Sequence, residues 1–157
     1  MVILGEVMIK TVSIPNQQLG NWKIIPIEEC DEKLVDLSSL VNKLKVRIEP
    51  MYFKQKIKGA ISEMYLRESL VSKIEQVSSL LPKSLELVLW DGWRPLDAQQ
   101  ALFDMFMNQI HTENPNLPQV ELINRTSVYV SLPSNDSSKP SPHNTGGAID
   151  LTIASKD

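Results

Sequence analysis

Ser141-Pro142-His143-Asn144-Thr145-Gly146-Gly147-Ala148-Ile149-Asp150-Leu151-Thr152-Ile153 runs from a proline-containing loop, through a glycine pair, into a short apolar strand. Side chains on a strand alternate between its faces. Ile149, Leu151 and Ile153 therefore share one face, and Ala148, Asp150 and Thr152 share the other. An ionised Asp beside so much apolar surface is costly unless it is paired or bound to a cation. The glycine pair allows a sharp bend just before the strand. That bend would carry His143 back toward Asp150. A neutral imidazole and a carboxylate are both zinc ligands. The residues alone leave two readings open: a metal site, or a buried Asp capping a turn beside a solvated loop histidine.

A second stretch pairs with the first. Leu85-Glu86-Leu87-Val88-Leu89-Trp90 is mostly apolar and reads as a central strand. It runs into Asp91-Gly92-Trp93-Arg94-Pro95. Pro95 suits the first turn of a following helix, and Asp97 suits the positive end of its dipole. Ala98, Leu102, Phe106 and Ile110 mark the apolar face of that helix, which Asn114-Pro115 closes. Arg94 thus sits between the end of a strand and the mouth of a helix. There its planar fork of donors could meet a carboxylate or a developing oxyanion, with Asp91 holding the guanidinium. A local Asp-Arg pair that merely ties down the turn is the other reading.

The remaining elements are simpler. Residues 11–30, with Pro15, Gly20 and Pro26, read as extended and irregular. Residues 31–42 fit a short helix or a strand. Residues 44–48 alternate apolar and charged, as a half-buried strand does. Met51, Tyr52 and Phe53 form an aromatic patch, either an edge of the core or a pocket wall. Residues 62–81 are predicted to form a helix capped by Ser62, with Leu66, Leu70, Ile74, Val77 and Leu81 as its stripe. Residues 115–127 are predicted to be a loop, 127–131 a strand and 134–142 a long polar loop. His111 ends a helix, where a solvated imidazole complements the dipole.

Composition bounds the rest. A chain of 157 residues fits one domain with a single core, taken here as residues 1–157. A net charge of -3 with scattered lysines gives no footprint for nucleic acid or an anionic membrane. The single cysteine, Cys30, lies among acidic neighbours that disfavour a thiolate, and excludes an internal disulfide or a Cys-built zinc site. No segment is long and apolar enough to span a bilayer. The apolar start, residues 1–9, is short, lacks a basic residue before its apolar run and is interrupted by Glu6. The default compartment is the cytoplasm, with the periplasm as the alternative.

Taken together, the two stretches resemble a known family. Asp91-Gly92-Trp93-Arg94-Pro95, followed by Gln99-Gln100-Ala101-Leu102, is similar to the aromatic-Arg-Pro motif of D-alanyl-D-alanine dipeptidases. Ser141-x-His143-x-x-Gly146-x-Ala148-x-Asp150 resembles that family's zinc motif. These are zinc metallopeptidases related to vancomycin-resistance dipeptidases and D,D-carboxypeptidases. The resemblance covers roughly residues 45–153. It implies an α+β fold, a small mixed or antiparallel sheet packed against helices, of the hedgehog/D,D-peptidase type. It implies one zinc ion held by His143 and Asp150, Arg94 stabilising the tetrahedral intermediate, Ser141 by the substrate pocket and Asp91 orienting Arg94.

The implied activity is zinc-dependent hydrolysis of the D-Ala-D-Ala dipeptide in peptidoglycan precursor turnover. Carboxypeptidase or endopeptidase action on peptidoglycan peptides, and a catalytically inactive module binding D-Ala-D-Ala or a partner, are the alternatives. The family pattern continues to a Glu-x-x-His that supplies the general base and the third zinc ligand. No Glu-x-x-His occurs in these 157 residues. The expectation is a domain truncated at its C-terminus, with an unpaired sheet edge and exposed apolar surface at Ile149 or Leu151. The missing segment or a second copy of the chain would complete it.

Overall fold

The computed structural model describes residues 25–156. The apolar start and the irregular arm up to residue 24 lie outside the described residues. The fold is α+β, as expected. Its central sheet has three strands in the order β2 (Val46–Ile48), β4 (Leu85–Asp91), β5 (Asp150–Ser155). β2 runs parallel to β4, with Ile48 beside Leu89, and β5 runs antiparallel to β4, with Ile153 beside Leu87. A second ribbon pairs β1 (Leu34–Asp36) with β3 (Tyr65–Arg67), antiparallel.

The main core lies between the central sheet, the ribbon and α3 (Glu68–Leu80). Leu37, Leu44, Leu66, Leu87 and Leu89 are each 1% exposed or less within it. A second cluster of Leu102, Phe103 and Val130 joins α4 (Leu96–Glu113) to α5 (Gln119–Tyr129). Two helical turns, α1 (Val41–Leu44) and α2 (Met51–Lys54), flank β2.

Several predicted elements are corrected. The helix expected over residues 62–81 begins only at Glu68, because the backbone of Tyr65–Arg67 pairs with β1. Ser62 caps nothing; its hydroxyl meets Glu63 instead. Leu66 is thus a strand residue, Val71 is buried in its place, and Val77 faces solvent. Residues 115–118 are irregular, as expected, but the rest of the expected loop and most of the strand expected at 127–131 form one helix, α5, over Gln119–Tyr129. Leu122 and Thr126 are its buried positions, four residues apart, and Val130, just past its end, is buried as well. The β-branched Val128 and the aromatic Tyr129, which suggested a strand, are 79% and 71% exposed. Residues 31–42 contain both a strand and helical turns, and the aromatic patch is α2.

Two features of the sheet shape its C-terminal end. Between Leu89 and Asp91 the register shifts, so Trp90 is the extra residue on β4 and Asp91 lies opposite Asp150. Among the described residues β5 pairs only with β4, and Leu151 and Ile153 are 37% and 53% exposed, whereas Ile149 packs against the core. Gly146 ends the turn before β5 at a φ of +74°, and a Cβ there would lie 2.3 Å from Leu34 Cδ2. Gly146→Ala is expected to destabilise the fold by about 1–2 kcal/mol from the left-handed backbone alone, with more from the contact to Leu34. Chemical denaturation of both proteins measures it.

Candidate metal centre

The site grows from the bulge. Asp91 and Asp150 face each other across two strands, a like-charge pairing that destabilises a sheet unless a cation intervenes. Arg94 supplies that cation. Its Nε donates to Asp91 Oδ2 at 2.9 Å, and its Nη2 lies 2.8 Å from the same oxygen and 3.3 Å from Asp150 Oδ2. Arg94 is only 6% exposed, and its guanidinium carbon lies 5.1 Å from the ring centre of Tyr52.

His143 enters from a 3₁₀ turn, Pro142–Thr145, on the opposite side. The two segments are stitched together by the Arg94 backbone N–H to His143 O at 3.1 Å and by Asn144 Nδ2 to Arg94 O at 2.6 Å. The Trp93 indole N–H adds a bond to Asn144 O at 3.0 Å. Arg67 clamps the far side of the turn through its Nε to Thr145 O, 2.8 Å, and its backbone N–H to Gly146 O, 3.0 Å. His143 Nδ1 lies 2.9 Å from Gly92 O and can only donate to it. Nε2 is left facing Asp150 Oδ1 at 3.4 Å.

That last separation tests the fit to zinc. Two ligands on a tetrahedral zinc with bonds of about 2.0–2.1 Å stand about 3.3 Å apart. His143 Nε2 and Asp150 Oδ1 are therefore already spaced as neighbouring ligands, and a carbonyl on Nδ1 is the usual support for a metal-binding imidazole. Asp91 completes a group of three whose candidate ligand atoms lie within 4.8 Å of one another. Its Oδ2 is taken by Arg94 and by the Nδ1 side of His143, 3.2 Å away. Arg94 and His143 meet only the Oδ2 of Asp91, so all three residues remain candidate donors, with His143 and Asp150 the pair at ligand spacing. Asp91 pairs directly with Arg94, a contact through which it could hold the guanidinium in place.

Ser141 is 4% exposed, and its hydroxyl is shared between Asn144 Oδ1 at 2.7 Å and Gln99 Oε1 at 3.3 Å. It buttresses the turn from behind. His111 is exposed in the last turn of α4 and takes no part in the group. No hydroxyl is bonded to His143, so a serine-histidine nucleophile is not assembled among the described residues. Sequence reasoning gives Asn144 no role, takes Gln99 only as part of the motif after Arg94, and reads Tyr52 only as a core edge or a pocket wall. Gln99 had a visible signal, a polar residue on the apolar face beside Ala98 and Leu102.

The charges are strongly coupled. Burial pulls the His143 pKa down, but the hydrogen bonds its ring donates to Asp150, Asp91 and the Gly92 carbonyl outweigh that, with Arg94 opposing, and hold it up at about 9. Burial raises Asp150, yet His143 and Arg94 together keep its carboxyl below the usual range. Burial, then the Asp150 carboxylate, pushes the Tyr52 hydroxyl upward, so it stays a donor at neutral pH.

No family model matches the chain. A curated protein of Synechocystis sp. named D-alanyl-D-alanine dipeptidase is 24% identical over 145 residues, covering 86% of this chain. The chain spans 58% of that protein's length. No helix among the described residues is long and apolar enough to cross a membrane.

The folded His143 pKa lies above the ordinary histidine value of 6.5. The protonated ring therefore stabilises the metal-free fold fully below pH 6.5, and that contribution is lost as pH rises through about 9. NMR titration of the His143 ring in metal-free protein is expected to show a midpoint near 9. In Asp150→Asn the midpoint falls, because burial then meets one counter-charge fewer.

Proposed function

We propose that this chain is the zinc-binding part of a D,D-dipeptidase acting on D-Ala-D-Ala. The observation that carries the reading is the 3.4 Å spacing of His143 Nε2 and Asp150 Oδ1, with Nδ1 held by Gly92 O. The likeness to the Synechocystis dipeptidase supports it. When bound, zinc supplies Lewis acidity toward water and a peptide carbonyl.

The chain's own residues then have distinct tasks. His143 and Asp150 hold the metal. Arg94 places fixed positive charge beside Asp150, where negative charge gathers during attack on a peptide bond. Asp91 keeps the Arg94 plane fixed, and Ser141 keeps the histidine turn in place beside the substrate pocket. The Tyr52 hydroxyl stays protonated, and its ring packs against the Arg94 guanidinium.

The family pattern assigns the general base and the third ligand to a Glu-x-x-His, and that motif does not occur in the 157 residues. In this reading the 157-residue chain binds zinc but does not turn over, consistent with its spanning 58% of the relative. A zinc site of two protein ligands is weaker than one of three.

Calorimetric titration with zinc tests both halves. One ion per chain is expected in the wild type and none in His143→Ala or Asp150→Ala. Release of D-alanine from D-Ala-D-Ala by the zinc-loaded chain is expected at background. Absence of zinc uptake by the wild type overturns the metal reading, and steady turnover overturns the incompleteness.

A further inference from the structure

One polar residue interrupts the buried face of α4. Gln99 is 1% exposed, between Ala98 at 1% and Leu102 at 0%. A buried carboxamide must satisfy both its acceptor and its donors. Its neighbours fix its orientation, because the Arg94 guanidinium only donates and the Ser131 carbonyl only accepts. Oε1 accepts from Arg94 Nη1 at 2.7 Å and lies 3.3 Å from the Ser141 hydroxyl. Nε2 donates to Ser131 O at 2.7 Å. One side chain thus joins the arginine, the histidine-bearing segment and the end of α5.

Packing alone would be met by a methionine or leucine of similar volume. What the amide adds is a second anchor for the guanidinium. With Nε on Asp91 and Nη1 on Gln99, the rigid fork cannot swing, and Nη2 is aimed at Asp150 Oδ2.

We infer that Gln99 is a positioning residue of the metal centre, holding the Arg94 fork on Asp150 Oδ2 so that Oδ1 is left facing His143. The inference rests on the reading of His143 and Asp150 as zinc ligands. It acts through Arg94 and touches neither ligand, so its effect is separable from loss of a donor.

Two variants and two readouts test it. Gln99→Met removes both anchor bonds while filling the space; Gln99→Glu keeps the acceptor oxygen for Arg94 and gives up the bond to Ser131. The ¹⁵N–¹H resonance of Arg94 Nε reports the guanidinium without metal, and calorimetry reports zinc affinity. In Gln99→Met the resonance is expected to move and broaden, and zinc affinity to fall by about tenfold, the lower end of the loss when a supporting partner is removed. In Gln99→Glu both stay near wild type. An unchanged resonance and affinity in Gln99→Met overturns the inference. So does a Gln99→Glu protein that loses both, since the Ser131 bond would then be what matters; this arm also decides if Gln99→Met fails to fold. If the wild type takes up no zinc, the site reading fails, and the Arg94 resonance still decides the role of Gln99.

Discussion

Two carboxylates set opposite one another at the end of a buried sheet demand a cation, and the architecture around this one is the answer to that demand. The bulge at Trp90 brings Asp91 into register with Asp150. Arg94 reaches both, and His143 closes the other side. Taking such groups out of water is costly, and their mutual attraction offsets that cost only with good geometry and further hydrogen bonds. Gln99, Asn144 and Gly92 O supply those bonds. The Arg94–Asp91 pair is the buried one, and removing either partner would leave the other charge uncompensated, whereas Asp150 is partly screened by solvent.

The same network explains how the centre can stand ready for a metal. The imidazole and the acid hold each other at ligand spacing through a proton rather than an ion. Arg67 and Gly146 keep the turn in place from outside, one by gripping its carbonyls, the other by leaving room for Leu34.

Much of this was legible in the residues. The apolar run at 85–90 required a central strand, and the acid in the apolar stretch after Gly147 required a partner. The pairing of Asp91 with Arg94 followed from their spacing. Other features were hidden for physical reasons. The ribbon at Tyr65–Arg67 looked helical because Leu66 continues the four-residue period of α3 by coincidence; its backbone pairing with Leu34–Asp36 is non-local and leaves no mark in the local pattern. α5 was obscured because its exposed face carries Val128 and Tyr129, residues that usually favour strands. The role of Gln99 depends on Ser131 and Ser141, 32 and 42 positions away, which no periodicity reveals.

The centre is built from two pieces of very different origin along the chain. Asp91 and Arg94 are three residues apart, whereas His143 meets Gly92 across 51. The first piece forms as soon as its turn closes. The second waits on a long loop closure, whose entropy must be recovered from contacts made only when β5 docks. A partly folded chain would carry the Asp91–Arg94 pair alone, with the Asp150 carboxylate and the His143 ring not yet brought to it. Uptake of a cation would then mark the last stage of folding, serving as a stamp on a finished molecule instead of a mould for an unfinished one.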